Sequence, residues 1–149
     1  MRHQHDNDHL AMLAEFMTAM EQPVSQGWGD LEGIRLGLKL IEEETEEFRE
    51  AVENLFENTE CGEGEDVLND NREDLTKELA DLVYVCWWLA ARIGIDLNAT
   101  LRLVHASNMS KLGPDGKPVK RGDGKVLKGP NYRAPDLSDI VRHAPVTLA

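Results

Sequence analysis

The sequence predicts an all-α protein: a helical bundle built on an antiparallel helix pair that carries a set of carboxylates, with a basic extended C-terminal arm. Three observations carry that prediction. Apolar residues recur every three or four positions from about residue 8 to about residue 112. Asp30, Asp70 and Asp96 stand as start signals before three of the periodic stretches, and Pro23, Gly94 and Gly113 follow the ends of others. Beyond Gly113 the texture changes to Gly, Pro and Lys, and no second core is visible. The 149 residues therefore read as one domain, a helical core over about 8–112 and a basic arm over about 113–149.

The first helix is expected from Asp8 to Glu21, stopped by Pro23. The second is expected to start after Asp30, a good N-cap, and to run to about Asn58. Along it Ile34, Leu38, Ile41, Thr45, Phe48, Val52 and Phe56 form one stripe, the expected core seam. A long acidic loop is expected from Thr59 to Asn71. The third helix is then expected to start after Asp70, with Glu73 three positions on as in a capping box, and to end at Gly94. Its seam reads Leu75, Leu79, Leu82, Cys86, Leu89, Ala90 and Ile93. From Leu82 to Ala91 it is apolar nearly all round, the mark of a helix buried on several sides. In so short a chain a second subunit is one source of that burial. The fourth helix is expected from near Asp96 to before Gly113. In the arm, residues 118–121 and 125–128 flank Gly122-Asp123-Gly124 as a short hairpin or extended arm, and a last short helix is expected from Asp136 to about His143.

Charge narrows the function classes. Lys and Arg number 16 against 28 Asp and Glu, a net charge of −12. So acidic a chain is not expected to bind nucleic acid in general, or an anionic membrane. The imbalance is also uneven: residues 1–110 hold 8 basic and 24 acidic side chains, and the last 39 hold 8 basic and 4 acidic. This fits an acidic body that binds cations and a basic tail that binds the anion travelling with them; it also fits a merely solvated tail. No apolar run is long enough to span a bilayer, and residues 1–6 hold no apolar stretch of a secretory signal. Cys61 and Cys86 are too few for a disulfide scaffold and lack zinc spacing. A reduced, cytoplasmic protein is expected.

The informative feature is a set of carboxylates off the solvated face. On the second helix Glu42, Glu46, Glu50, Glu53 and Glu57 share an ordinary charged face. Glu43, Glu44 and Glu47 instead fall on a stripe with Leu36, Leu40 and Ala51. On the third, Glu78 and Asp81 lie beside the seam, on a stripe continued by Val85 and Trp88. Carboxylates among apolar neighbours are costly to desolvate and need a partner. If the two helices pack antiparallel, all five converge, and a divalent cation removes their repulsion. All-oxygen ligation suits Mg²⁺, with Mn²⁺ as a substitute. A di-iron bundle would want Glu-x-x-His, and the corresponding position here is Asp81. His3, His5 and His9 read as a chance cluster in a frayed terminus.

At Glu43-Glu44-x-x-Glu47, Glu78-x-x-Asp81 and Asn108-x-x-Lys111, the stretch from about Leu31 to Leu112 resembles the all-α nucleoside triphosphate pyrophosphohydrolases. That superfamily includes MazG-like proteins, all-α dUTPases and dCTPases, and phosphoribosyl-ATP pyrophosphohydrolase. The tail from Gly113 to Tyr132 looks like the arm of bacterial and phage MazG-like proteins. The resemblance implies that Glu43, Glu44, Glu47, Glu78 and Asp81 hold Mg²⁺, and that Asn108 and Lys111 meet the substrate. It implies attack by water on a nucleoside triphosphate, giving the monophosphate and pyrophosphate.

Such chemistry asks for positioning and charge stabilisation more than for a protein nucleophile. Glu47 is the candidate to take the proton of the attacking water. Of the basic arm, Lys111 first and Lys128 second are expected to reach phosphate, and Asn131 and Tyr132 to close over the site, either the chain's own or that of a neighbouring subunit. Trp28 has two readings, a stacking surface for a nucleobase and a small hydrophobic plug. Trp87 and Trp88 read as core or subunit interface, and Cys86 as a packing residue. The expected assembly is a homodimer or dimer of dimers, and the expected role is housecleaning or control of the nucleotide pool. Phosphoribosyl-ATP hydrolysis is the runner-up within the same chemistry. From another class, a non-catalytic acidic regulator or DNA mimic would need exposed carboxylates, which these stripes do not offer.

Overall fold

A computed structural model describes residues 8–148. Its order is α1 (His9–Ala19), α2 (Leu31–Glu60), α3 (Glu65–Ile93), α4 (Leu97–Met109) and α5 (Ser138–His143), with no strand among the described residues. His3 and His5 fall outside them, whereas the His9 ring lies 5.3 Å from that of Trp87. The long α2 and α3 run antiparallel and make the principal helix pair, with α1 against α3 and α4 against α1.

Three of these starts follow the sequence directly. Asp8, Asp30 and Asp96 each accept a hydrogen bond from a backbone N–H three residues on, at 3.2, 3.0 and 2.9 Å. The start of α3 differs from expectation. The helix begins at Glu65, so Asp70 and Glu73 lie inside it and cap nothing. The long acidic loop shrinks to a turn at residues 61–64, with Gly62 at φ +75° and Gly64 as a cap without a side chain. Glu65 and Asp66 fill the first turn, where negative charge suits the helix dipole. The extra turn also has a partner: Asn71 accepts a hydrogen bond of 2.8 Å from the Asn58 amide of α2.

The core gathers at the C-terminal half of α3. Leu10, Leu13 and Met17 of α1 bury Trp87, Trp88, Ala90 and Ala91, with Phe16 edge-on to Tyr84. The Trp88 indole donates to Gln22 Oε1 at 2.8 Å, so its polar edge is satisfied. Trp88 therefore belongs to the α1 face of α3 and not to the carboxylate stripe. At the end of α3 the orphan carbonyls of Ala91, Arg92 and Ile93 accept from the backbone N–H groups of Ser25, Gln26 and Gly27, each at 2.8 Å. Gly94 closes the helix at φ +85°, and a Cβ there would come within 2.7 Å of Pro145. The Arg92–Asp30 ion pair ties this end to the start of α2.

The seam between α2 and α3 is rotated from the one expected. The less exposed side of α2 runs through Gly33, Gly37, Leu40, Glu44, Phe48, Ala51, Leu55 and Asn58. On α3 it runs through Leu68, Asn71, Leu75, Glu78, Leu82, Val85 and Leu89. Alternating steps of three and four are the spacing of two helices lying nearly side by side. Of the stripes expected to be core, Leu38, Thr45, Phe56 and Leu79 are exposed. Leu36, expected beside the acids, is exposed too. Each helix carries two apolar stripes, and the chain itself covers only one of them.

The arm is a narrow hairpin without strands. Leu112 bridges Pro118 and Lys120 bridges Val126, both antiparallel, and Leu127 N–H donates to the Val119 carbonyl at 2.7 Å. Its base is fastened to the end of α4. Gly129 N–H donates to the Lys111 carbonyl, Ser107 Oγ to the Arg133 carbonyl, and Arg133 N–H to Ser110 Oγ. No helix among the described residues is long and apolar enough to cross a membrane.

Candidate active site

Packing antiparallel through this seam puts acids from two helices against each other. One carboxylate oxygen each from Glu44, Glu47 and Glu78 lies within 4.8 Å of the others. Glu78 is buried, at 8 % exposure, and Glu44 is half-buried. Glu44 Oε2 and Glu78 Oε2 are shut from solvent and have no hydrogen-bond partner. Burial first, then the charges of Glu47, Asp81 and Glu78, push the Glu44 carboxyl above its ordinary value, with Lys77 opposing. Three carboxylates therefore meet here, Glu44 and Glu47 from α2 and Glu78 from α3, and Asp81 of α3 lies at their side, where its charge acts on Glu44 and it shares Lys77 with Glu78.

Two partnerless anionic oxygens in one seam are a costly arrangement for a protein left to itself. The donor set is all carboxylate oxygen, which a hard divalent cation such as Mg²⁺ or Mn²⁺ accepts. The residues present fit such an ion.

Glu43 is not part of the group. It is exposed and turns to Lys39, 3.6 Å away on its own helix. A residue the sequence reading passed over is instead present. Lys77 Nζ donates to Glu78 Oε1 at 2.7 Å and to Asp81 Oδ2 at 2.8 Å. The signal for it was the i, i+4 spacing of Lys77 and Asp81.

The expected substrate residues make no polar contact with the acids among the described residues: neither the Asn108 nor the Lys111 side chain makes a hydrogen bond or ion pair with them. The Gly129–Lys111 backbone bond puts Lys128 next to Lys111, and Lys128 Nζ sits 4.5 Å from the centre of the Tyr132 ring. Asn131 is exposed beside them. Lys111, Lys128, Asn131 and Tyr132 thus form a second group at the end of α4. Trp28 belongs to neither group. Its indole N–H donates to the Val141 carbonyl at 3.2 Å, holding the C-terminal segment to the entry of α2.

Opposed acids on an antiparallel pair in an all-helical chain agree with the class that the family match shows, the all-α nucleoside triphosphate pyrophosphohydrolases. Within it, residues 13–108 match the family of phosphoribosyl-ATP pyrophosphohydrolase, and the chain belongs to that family. The matched stretch runs from α1 into α4 and takes in all four acids, while Lys111 and the arm lie beyond it. No curated protein matches the sequence. The chemistry the family stands for is pyrophosphohydrolysis of a nucleotide-like substrate.

Proposed function

We propose that this protein hydrolyses a nucleoside or deoxynucleoside triphosphate to the monophosphate and pyrophosphate with Mg²⁺, for which Mn²⁺ can substitute. The observation that carries the reading is the pair of buried, partnerless oxygens at Glu44 and Glu78, two residues whose carboxylates cluster with that of Glu47. A bound divalent ion supplies neutralisation of phosphate charge and a more acidic water. Glu44, Glu78 and Asp81 are assigned to holding it, and Glu43, paired with Lys39 outside the group, is not. Glu47, the most open of the three clustered glutamates, is assigned the proton of the attacking water as well as a share of the ion.

The basic group of Lys111, Lys128, Asn131 and Tyr132 is assigned to the phosphates or the departing pyrophosphate, with Asn108 beside it on α4. The unpartnered apolar side of the α2/α3 pair supports a homodimer or dimer of dimers, in which a second chain brings its basic group near these acids. We take the chain as one domain, its free thiols suited to the cytoplasm, and its role as housecleaning or control of the nucleotide pool.

Phosphoribosyl-ATP is the second reading of the substrate, and the family match supports it equally. The basic arm, outside the matched residues, is what supports a triphosphate. A Mg²⁺-dependent panel of (d)NTPs and phosphoribosyl-ATP, with the products identified, separates the two. Pyrophosphate release is expected; orthophosphate release would place the chemistry in another class. Glu47→Gln and Asp81→Asn are each expected to lower turnover at least about 100-fold with helix content unchanged. Wild-type turnover in both would remove these residues from the mechanism.

A further inference from the structure

We propose that Lys77 is the acidic site's own counter-ion, and that it must leave Glu78 and Asp81 for a divalent cation to take full hold, so that this lysine sets the metal affinity. The inference rests on the metal reading given above. It begins from an asymmetry among the four acids. Lys77 covers Glu78 Oε1 and Asp81 Oδ2, while Glu78 Oε2 and Glu44 Oε2 stay uncovered. Among the described residues no other Lys or Arg pairs with Glu44, Glu47, Glu78 or Asp81. One positive charge thus meets a group of up to four negative ones and satisfies only its α3 side.

The partners also differ in freedom. The Glu78 side chain is 10 % exposed and fixed in the seam, whereas that of Lys77 is 62 % exposed and reaches in from solvent on a flexible stem. The half of the pairing that runs to Asp81, open to solvent on both sides, contributes little and is easily broken, while the half that runs to buried Glu78 is the stronger and is the one a cation has to displace. A divalent cation ligated by Glu78 and Asp81 competes for the oxygens that the ammonium holds, and the two cations repel at that range. Metal entry and lysine departure are therefore one exchange, and its equilibrium shifts toward metal when the lysine charge is removed. Lys39 offers no such competition, because it pairs with Glu43 outside the group.

The test is Mn²⁺ titration by calorimetry on the full chain at low salt, with wild type, Lys77→Gln, Lys77→Arg, Glu44→Gln and Glu78→Gln. Glutamine is a good helix former at an exposed position, so Lys77→Gln is expected to fold. Melting curves with and without Mn²⁺ give a second readout. Lys77→Gln is expected to bind Mn²⁺ about three-fold or more tightly than wild type, and to show a larger Mn²⁺-induced rise in Tm. Lys77→Arg is expected to stay near wild type. Less than a three-fold gain in Lys77→Gln, or weaker binding, overturns the inference about the lysine. If wild type still binds and Glu44→Gln and Glu78→Gln do not, the metal reading survives that failure. If wild type gives no binding, both fall together.

Discussion

Glu44 carries one of the two uncovered oxygens of the site. Its Oε2 is hidden from water without a partner, and Glu47, Asp81 and Glu78 surround it with like charge. The folded chain therefore holds the Glu44 proton more tightly than the unfolded chain, whose carboxyl titrates near 4.5. A carboxyl raised in this way costs nothing below its unfolded value, and the penalty grows as pH climbs through the folded value. In the metal-free protein this group thus removes stability as pH rises above about 4.5 toward its raised value. Glu44→Gln is expected to raise the metal-free Tm at pH 7.5 by about 2–4 °C, or roughly 1 kcal/mol in a domain near this size, and to flatten the pH dependence. Mn²⁺ is expected to reverse the order, wild type gaining from the ion and the variant not. Calorimetry from pH 5 to 8 checks this, and a metal-free variant melting at or below wild type at pH 7.5 contradicts it. The approach of Glu44, Glu47 and Glu78 to one another was legible from helical spacing, because carboxylates among apolar neighbours stand out. Lys77 was not, because a search for clustered acids passes over the cation beside them. Glu43 shows the other limit: adjacent residues on a helix diverge by about 100°, so it and Glu44 cannot both enter the seam.

Between α2 and α3 the same logic governs whole helices. Gly33, Gly37 and Ala51 are small and buried, which lets the axes approach, and a Cβ on Gly37 would meet the Leu89 side chain at 2.6 Å. Two polar layers interrupt the seam, the four acids and the Asn58–Asn71 pair. A lone polar pair in an apolar seam fixes the relative position of two helices, because sliding would leave both amides unsatisfied. Asn58→Ala and Asn71→Ala are each expected to cost about 1 kcal/mol, while Asn58→Leu with Asn71→Leu is expected to be neutral or stabilising. Denaturant melts of the alanine singles and their double give the coupling, expected at about 0.5–1.5 kcal/mol; strictly additive losses would show that the pair acts independently. This layer also explains what the sequence withheld about α3. Asp70-x-x-Glu73 imitates a capping box, and nothing local reveals that Leu68 and Asn71 have partners on α2. The Gly62 and Gly64 turn was the truer punctuation. Periodicity likewise shows two apolar stripes on each helix and not which of them faces the sibling.

At the scale of the molecule, the stripes left over from that choice become the main fact. Leu38 and Phe56 on α2, and Leu79 and Val83 on α3, are 45–62 % exposed. Half-buried Ile34, Ile41, Val52 and Cys86 extend the same stripes. On each helix the stripe is turned in the same rotational sense from the α2/α3 seam. In an antiparallel pair, that puts both on one side. The result is a continuous apolar surface along the two longest helices. Monomers in water rarely leave such a surface bare, and a partner patch of about 800 Å² is the usual size for a stable complex. A second copy is the occupant we propose, since two such pairs, face to face, close a four-helix bundle with one core. Sedimentation is then expected to give a dimer or larger assembly at micromolar concentration. Leu79→Glu with Val83→Glu places two charges in the centre of the face, outside the four acids, and is expected to yield monomer with a lower Tm. The α1/α3 core does not use this face, so helix content at low temperature is expected to persist in the variant. A wild-type chain that sediments as a monomer at tens of micromolar would overturn the assembly, and would leave the apolar face of α2 and α3 in contact with water.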